Sequence, residues 1–579
     1  MVKRWRIHSH DPDRIAGLQQ AAGVTSVIAQ LLICRGICDP DAARRFLDPK
    51  LSDLRDPNDL PGCAEAAELL VEAIRDGRRI VVYGDYDVDG ISGTAILCRC
   101  IRMLGGNAGY YIPHRIDEGY GLNRDAVDQL AEQQTRLLVT VDCGIGSVDE
   151  AVAARQCGLD LIVTDHHQPG HRLPPAAAIV HPALPGGAYP FPHLSGSGVA
   201  FKLAWSICQR EAGARRVGDR MKEFLLQAVG LASLGTIADV VPLIDENRVL
   251  VRHGLDALKQ RPPVGVAALI EVVGLDDKPR LDAEDVAFSL GPRLNAAGRL
   301  GQAQLAAELL MTERPERARE VAAYIDGLNA SRQTLERSIY LAAHKQAKER
   351  FDPEGDPALV LADHGWHPGV IGIVAGRLAE KYHRPVILIS WDPLGVKPGV
   401  GSARSVPGFN LYAALETCGH HLDGFGGHAA AAGLTLKPER LDEFRADFCE
   451  FAGAEIGDDQ RTADLWIDAE APLSAFTLQV VSQIERLGPF GQANHRPLVC
   501  ASGVRLAEPP RALGTGGRHI AMKLQQHDVT LRAVAFGGAD WTDALIGLSG
   551  PIDVAFRPVV NTFRKRRNVE LHLVDWRPG

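Results

Sequence analysis

VVYGDYDVDGISG, residues 81–93, puts aspartates at every second position, Asp85, Asp87 and Asp89, directly after a short apolar run and among the glycines Gly84, Gly90 and Gly93. Carboxylates this close repel one another and are driven toward protonation unless a cation neutralises them. The run before them, Arg79 to Tyr83, has the length and β-branching of a buried strand. Ile91 to Leu104 after them has helical character and ends at the Gly105-Gly106 pair. The stretch therefore reads as strand, acidic loop and helix, the opening unit of a parallel α/β sheet.

The same arrangement recurs twice. Leu137 to Val141 (LLVTV) delivers Asp142, followed by Cys143-Gly144, and Leu159 to Thr164 (LDLIVT) delivers Asp165, His166 and His167. Helical stretches such as VDEAVAARQCG lie between, so the expected fold is a doubly wound parallel sheet with its site beyond the carboxyl ends of the strands. Asp239 in LASLGTIADVVPL is a lone carboxylate in an apolar stretch and needs a partner. Any one Asp after a strand is normally a turn residue, and a His-His pair there is normally a surface group. Three such motifs at three strand ends are explained by metal binding. Carboxylates mixed with imidazole favour a transition ion such as Mn²⁺ over the all-oxygen sites of Ca²⁺ or Mg²⁺. The acids suffice for two ions, and two metals about 4 Å apart clamp both oxygens of an in-line phosphoryl displacement.

The chain of 579 residues exceeds one core, so about three or four domains are expected. With 46% hydrophobic and 23% charged residues it has ordinary globular composition. It contains no apolar run of about 18 residues, and MVKRWRIHSHDPDR lacks the apolar segment of a secretory signal, so neither membrane nor export is expected and the location reads as cytoplasmic. Eleven cysteines form no CxxC pair; Cys34 and Cys38 come nearest to a zinc spacing but lack a partner pair, so the cysteines read as reduced thiols. The formal net charge of −9 argues against a phosphate-rich partner only as a whole-chain sum, because ligand carboxylates count as negative until their ion arrives.

Residues 313–350 form a long charged helical stretch able to bridge two domains. Residues 357–450 return to α/β texture in PALVLADH, GVIGIVAGRLAEKY and RPVILIS. Beyond about residue 463 come short strand-like runs, LVCASGVRL, HIAMKLQ, TLRAVAF, IDVAFRPVV and VELHLVDW, which read as a sandwich or small barrel.

DYDVDG, VDCG, DHH and GTIADVVPL resemble the DHH phosphoesterase superfamily. HRIDEGYGLN (114–123), GPRLNAAGRLG (291–301), WHPGVIGIVAGRL (366–378), GSARSVPGFNL (401–411), GGHAAAAG (426–433) and GPFGQANHRPL (488–498) are similar, in order, to segments of its RecJ exonuclease family. The resemblance implies an N-terminal segment (1–55), a DHH catalytic domain (56–250), a helical segment with the interdomain helix (251–345), a DHH-associated substrate-binding domain (346–455) and an OB-like single-strand-binding domain (456–579). It implies two divalent ions, Mn²⁺ with Mg²⁺ as the alternative. Asp87 and Asp89 would each favour one ion, Asp142 would bridge, and His166 and Asp239 would complete the coordination of the second ion. Relatives with a histidine four residues before the first of these aspartates use it as a ligand; Tyr83 stands there, so Asp85 is the candidate substitute. His167 would act at the scissile phosphate and Asp165 would orient an imidazole.

For the nucleic acid, Ser402 and Arg404 in GSARS suit a terminal phosphate, with Arg115, Arg299 and the turn Gly426, Gly427, His428 as further contacts. Read alone, GGHAAAAG is better read as a turn before a packed alanine helix; beside GSARS the binding reading gains weight. FRKRR (563–567), Arg518, Lys523 and Arg532 supply charge to the C-terminal segment, and Phe536, Phe556 and Phe563 are stacking or core rings. The implied activity is 5′ to 3′ degradation of single-stranded DNA to 5′-mononucleotides in recombination and repair. The implied partners are a single-strand-binding protein and a RecQ-type helicase. A small-substrate phosphodiesterase and a scaffold without catalysis are the rival readings; the bridging helix and β segment speak against the first, and the intact acids and DHH against the second.

Overall fold

The computed structural model describes residues 3–115, 117–352, 355–456, 464–514, 516–548, 550–563 and 566–579. Of the FRKRR stretch, Arg564, Lys565 and the Phe563 side chain lie outside the described residues. The chain forms two compact units. One is built from Asp56–Val241 and Gly254–Ala463, the other from Lys3–Arg55, Pro242–His253 and Asp464–Gly579.

In the first unit, strands β1 (Arg79–Gly84), β2 (Asn107–Tyr111), β3 (Leu137–Val141), β4 (Asp160–Thr164) and β5 (Ala178–Val180) form a parallel sheet in the order β2-β1-β3-β4-β5. Every residue of β3 is buried, as expected for a strand covered on both faces. The order changes direction between β1 and β3, where a crevice opens beyond the strand ends. Register aligns Gly84 with Val141 and Val141 with Thr164. Asp85, Asp142 and Asp165 therefore stand side by side one residue further on. Their amides continue the ladder: Asp85 donates to Val141, Asp142 to Thr164 and Asp165 to Val180, at 3.0–3.2 Å.

Helix α1 (Val88–Met103) follows β1 and is capped by Asp87, whose carboxylate accepts the amides of Asp89 and Gly90. It packs against α2 (Gly196–Ala212) and α3 (Asp219–Ala238), the latter ending at Asp239. Helix α4 (Gly291–Arg299) precedes the 36-residue α5 (Pro315–Arg350). A second sheet follows, of β6 (Leu359–Asp363), β7 (Val386–Ser390), β8 (Gly399–Arg404), β9 (Gly424–Gly427) and β10 (Ala431–Leu436), in the order β9-β10-β8-β7-β6. It carries helices α6 (Pro368–Tyr382) and α7 (Leu441–Glu455). The alanines of GGHAAAAG lie in the β9–β10 hairpin, not in a helix: Gly426 pairs with Gly433, and the turn closes through the His428 amide on Ala431 at 2.8 Å.

In the second unit, strands Val499–Leu513, His519–Gln526, Val529–Ala535, Arg566–Pro578 and Ile552–Phe563 pair in that order, and the last returns to the first, closing a five-stranded barrel. Set apart in the sequence reading, residues 1–55 are not a separate core: Leu18, Ile28 and Leu32 pack with Val481, Val499, Ile520 and Phe556. Strand Arg4–Ile7 also pairs in parallel with Asp464–Ile467. Among the described residues no single helix is long and apolar enough to cross a membrane.

Candidate metal centre and anion pocket

Beyond the ends of β1, β3 and β4 the acids converge. Ligand atoms of Asp85, Asp87 and Asp142 lie within 4.8 Å of one another, as do those of Asp89, His166 and Asp239, and those of Asp142, His166 and His167. Asp142 belongs to the first and third groups and His166 to the second and third. His166 Nε2 is 3.0 Å from Asp142, 3.5 Å from Asp239 and 3.9 Å from Asp89. The His166–Asp142 pair, 3.0 Å apart, forms no hydrogen bond, and His166 Nε2, Asp142 Oδ1 and, separately, Asp85 Oδ1 are buried without a partner. Orphaned buried polar atoms of this kind are costly unless an ion engages them. Asp142 holds a left-handed backbone (φ 63°), a conformation Asp tolerates better than most residues, directly where the strand ends.

Burial and mutual repulsion set the charges. Burial first, then Asp87, pushes Asp85 well above the carboxylate range. Burial, then Asp89, does the same to Asp142, raises Asp87 and pushes Asp239 up to about 9. Burial lowers His166, favouring the neutral imidazole that a metal needs. These residues fit divalent cations: two carboxylate groups, one with imidazole, joined through Asp142 and His166, hold five acids that His167 and Arg115 offset only in part.

Asp165 behaves differently. Burial raises it, but the His167 hydrogen bond and charge outweigh burial and, with the Ile145 amide, hold it at about 2. It accepts His167 Nδ1 at 2.8 Å and the amides of Ile145, His166 and His167. Burial lowers His167, but Asp165 prevails and pushes it up to about 9. With Nδ1–H held by Asp165, Nε2 is the ring atom left to exchange a proton. Several contributors carry no signal in the strand motifs. The α2 amides of Gly196 and Ser197 donate to the two oxygens of Asp89 at 2.6 and 3.0 Å. A Cβ on Gly235 would sit 2.2 Å from Asp89, so α3 approaches only as glycine. Tyr120 Oη lies 3.0 Å from His167 Nδ1 and donates to the Asp142 carbonyl at 3.2 Å. His181 accepts the Ala183 amide at Nδ1, which leaves Nε2–H to donate to the His167 carbonyl at 2.7 Å. Only LSGSG, a Ser cap before an apolar helix, could have been noticed in advance.

The arginines gather in the same unit. Ser402 and Arg404 alternate on β8, and Arg404 Nη1 donates to Ser402 Oγ at 3.2 Å and to the Ala403 carbonyl at 2.7 Å. They face Gly372 of α6, whose missing Cβ would lie 2.8 Å from Ser402 Oγ and 2.9 Å from Arg404 Nη2. Arg299 donates to the Gly369 carbonyl at 3.2 Å, and Arg115 lies over the Tyr86 ring at 4.7 Å. Burial, then Arg115 and Arg404, lowers Arg299 to about 10, and burial, then Arg115, lowers Arg404. Among the described residues none of these three forms an ion pair within 4.0 Å, although Asp87 still acts on Arg299 and Arg115 on Asp85, so the cluster is suited to an anion. Ala431 and Gly433 of the glycine hairpin pair with Arg404 and Ser402 in register, and Gly426, Gly427 and His428 are exposed beside them.

Residues 79–233 match the DHH family N-terminal domain, residues 355–454 the DHHA1 domain and residues 467–575 the RecJ OB domain. The chain is 37% identical to the single-stranded-DNA-specific exonuclease RecJ of Bacillus subtilis, over 99% of this chain and 70% of that one. It is 33% identical to the RecJ of Escherichia coli, over 99% of each. The crystal structure of RecJ in complex with Mn²⁺ from Thermus thermophilus superposes with a TM-score of 0.84 at 34% identity, covering 100% of this chain and 80% of that one. The chain belongs to the RecJ family. A structure of the Thermus RecJ in complex with Mg²⁺ also matches, with a TM-score of 0.78 at 33% identity over 100% of this chain and 78% of that one. As a RecJ-family member the chain is a nuclease of the hydrolase class, and its acidic and histidine groups could bind a divalent metal such as the Mn²⁺ or Mg²⁺ of those structures.

In the RecJ OB region two of the expected charges are already used. Lys523 pairs with Glu508 and Arg532 with Glu570, each at 2.7 Å. Phe556 is a fully buried core ring, whereas Phe536 is 59% exposed and flanked edge-on by His519 and His572. Of the two described rings named from sequence, Phe536 is the one suited to stack on a base.

Proposed function

We infer that the protein is a metal-dependent exonuclease that degrades single-stranded DNA from the 5′ end to 5′-mononucleotides, in recombination and repair. The observation that carries this reading is the cluster of strand-end acids with orphaned buried atoms, in the same compact unit as an arginine cluster that forms no ion pair among the described residues. Asp85, Asp87 and Asp142 would hold one ion; Asp89, His166 and Asp239 would hold the other, with Asp142 adjacent to both. Bound there, divalent ions supply charge stabilisation at the phosphate and acidify an attacking water.

The chain's own residues do the rest. Asp165 fixes the His167 ring, and His167 donates a proton or positive charge to the leaving oxygen. Ser402, Arg404, Arg299 and Arg115 bind the terminal 5′-phosphate, and the Gly426–His428 turn closes beside it. Reading the end in this way sets the direction, because metal chemistry alone cuts any phosphodiester brought to it. Phe536 stacks on the single strand, and a single-strand-binding protein and a RecQ-type helicase deliver the substrate. The test is manganese-dependent release of nucleotides from single-stranded DNA labelled at the 5′ end, beside 3′-labelled and duplex DNA. Early release of the 5′ label from the single strand is expected. Equal release from duplex, or early release of the 3′ label, overturns the reading.

A further inference from the structure

His420 and His421 are consecutive in one short turn, Gly419–His421, where successive side chains leave the backbone about 120° apart. Both imidazoles nevertheless turn to one carboxylate. His421 Nε2 lies 2.8 Å and His420 Nε2 3.4 Å from Oδ2 of Asp447 on α7, with the two ring centroids 3.9 Å apart. The His421 side chain is 6% exposed, and its Nδ1 is buried with no hydrogen-bond partner. The group nearest it is the carboxylate of Glu443, 3.7 Å away and one turn before Asp447 on α7.

A neutral His421 that donates Nε2–H to Asp447 leaves a buried lone pair on Nδ1 facing that carboxylate, an arrangement that costs free energy. A cation on Nε2 removes the conflict. The ring proton then sits on Nδ1, and Glu443, exposed and paired with Arg440, can rotate to accept it. A carboxylate orienting the far nitrogen is the usual support of a metal-bound histidine. Donors about 2 Å from a tetrahedral ion stand about 3.3 Å apart. The His420–Asp447 separation already meets this, and the His421–Asp447 pair needs to open by about half an ångström.

We propose that His420, His421 and Asp447 form a second transition-metal site of the zinc type, distinct from the strand-end cluster, with Glu443 orienting His421 and solvent at the fourth position. Two imidazoles and one carboxylate select Zn²⁺, Co²⁺ or Ni²⁺ over Mg²⁺ and Ca²⁺. The ion ties the Gly419–His421 turn to α7 just ahead of β9, and so anchors the base of the hairpin that carries Gly426, Gly427 and His428.

The test compares the full chain with His420→Ala, whose side chain is 63% exposed and whose loss spares the core. Both are equilibrated with Zn²⁺ in excess Mn²⁺, and bound zinc is counted by metal analysis. The parent should retain roughly one equivalent more than the variant. The same difference should persist between Asp142→Asn and Asp142→Asn/His420→Ala, which assigns the ion to a place outside the strand-end cluster. Zinc should raise the melting temperature of the parent and not that of His420→Ala or Asp447→Asn. Equal zinc counts in parent and His420→Ala overturn the proposal. A difference that vanishes in the Asp142→Asn background overturns it too.

Discussion

The strand-end cluster and the C-terminal barrel carry charge in opposite ways. At the ends of β1, β3 and α3, the carboxylates of Asp85, Asp142 and Asp239 are crowded together and partly buried, and each is pushed toward protonation. In the barrel, Lys523 and Arg532 are neutralised by Glu508 and Glu570, and Arg577 by Asp553. A charge already paired within the protein contributes little to a ligand, because binding first has to break the pair. A charge held without a partner is paid for by the fold and released to whatever neutralises it. The contrast separates residues that bind from residues that brace, although the sequence shows both only as acidic or basic letters. The arginine cluster falls on the binding side, since burial and neighbouring arginines lower Arg299 and Arg404 and neither forms an ion pair among the described residues.

The largest effect expected is at Asp142. Asp142→Asn should abolish hydrolysis at saturating Mn²⁺ while the metal-free protein stays folded. Asparagine keeps the left-handed backbone that alanine would strain, and removing a like charge relieves repulsion. Steady-state turnover and circular dichroism check this, and near-normal turnover would break the contrast at its centre.

Next comes pH. Asp85, Asp87, Asp142 and Asp239 all have folded values raised above the ordinary 3.8, Asp239 to about 9, and His167 is raised from 6.5 to about 9. A raised group gives its stability below its unfolded value and loses it as pH climbs through its folded value. Asp165, lowered to about 2, loses its contribution only in strong acid. The metal-free protein should therefore melt at progressively lower temperature from pH 5 to pH 9, and Mn²⁺ should flatten that slope. Thermal scans with and without Mn²⁺ decide it; a metal-free melting temperature that rises over this window contradicts the crowding.

Arg404→Ala should weaken binding of a 5′-phosphorylated strand by about 1.5–3 kcal/mol, roughly ten- to a hundredfold. The loss should be clearly smaller on a 5′-hydroxyl strand. Equal losses on both ends would remove Arg404 from phosphate recognition.

The smallest effects lie in the barrel and sharpen the comparison there. Phe536→Ala should cost about 1 kcal/mol in binding long single strands, the low end for a stacked base. Arg532→Ala, which only frees Glu570, should change affinity by about twofold or less and barely alter its salt dependence. If Arg532 proved the more costly of the two, its pair with Glu570 would be a poor guide to the DNA-bound state. Point variants are the right tool, because truncation at residue 463 would strip the partners of Leu18, Ile28 and Leu32 from their shared core.

By itself the sequence determined the parallel sheet and the acids at its edge, because a strand and the ligand that follows it are local: register then aligns Asp85, Asp142 and Asp165 without further instruction. It also marked the 36-residue helix and the strands of the barrel, whose periodicities are local as well. Only the tertiary structure decided which acids share a group, because that depends on where α3 delivers Asp239 and on the amides of Gly196 and Ser197 that hold Asp89. It alone turned the alanines of GGHAAAAG into a hairpin, since a glycine-alanine run has no periodicity of its own and follows the sheet edge it pairs with. It alone joined residues 3–55 to the barrel core, sorted Phe556 inward and Phe536 outward, and brought His420 and His421 onto Asp447. Those outcomes rest on contacts between residues far apart in the chain, which no local pattern encodes.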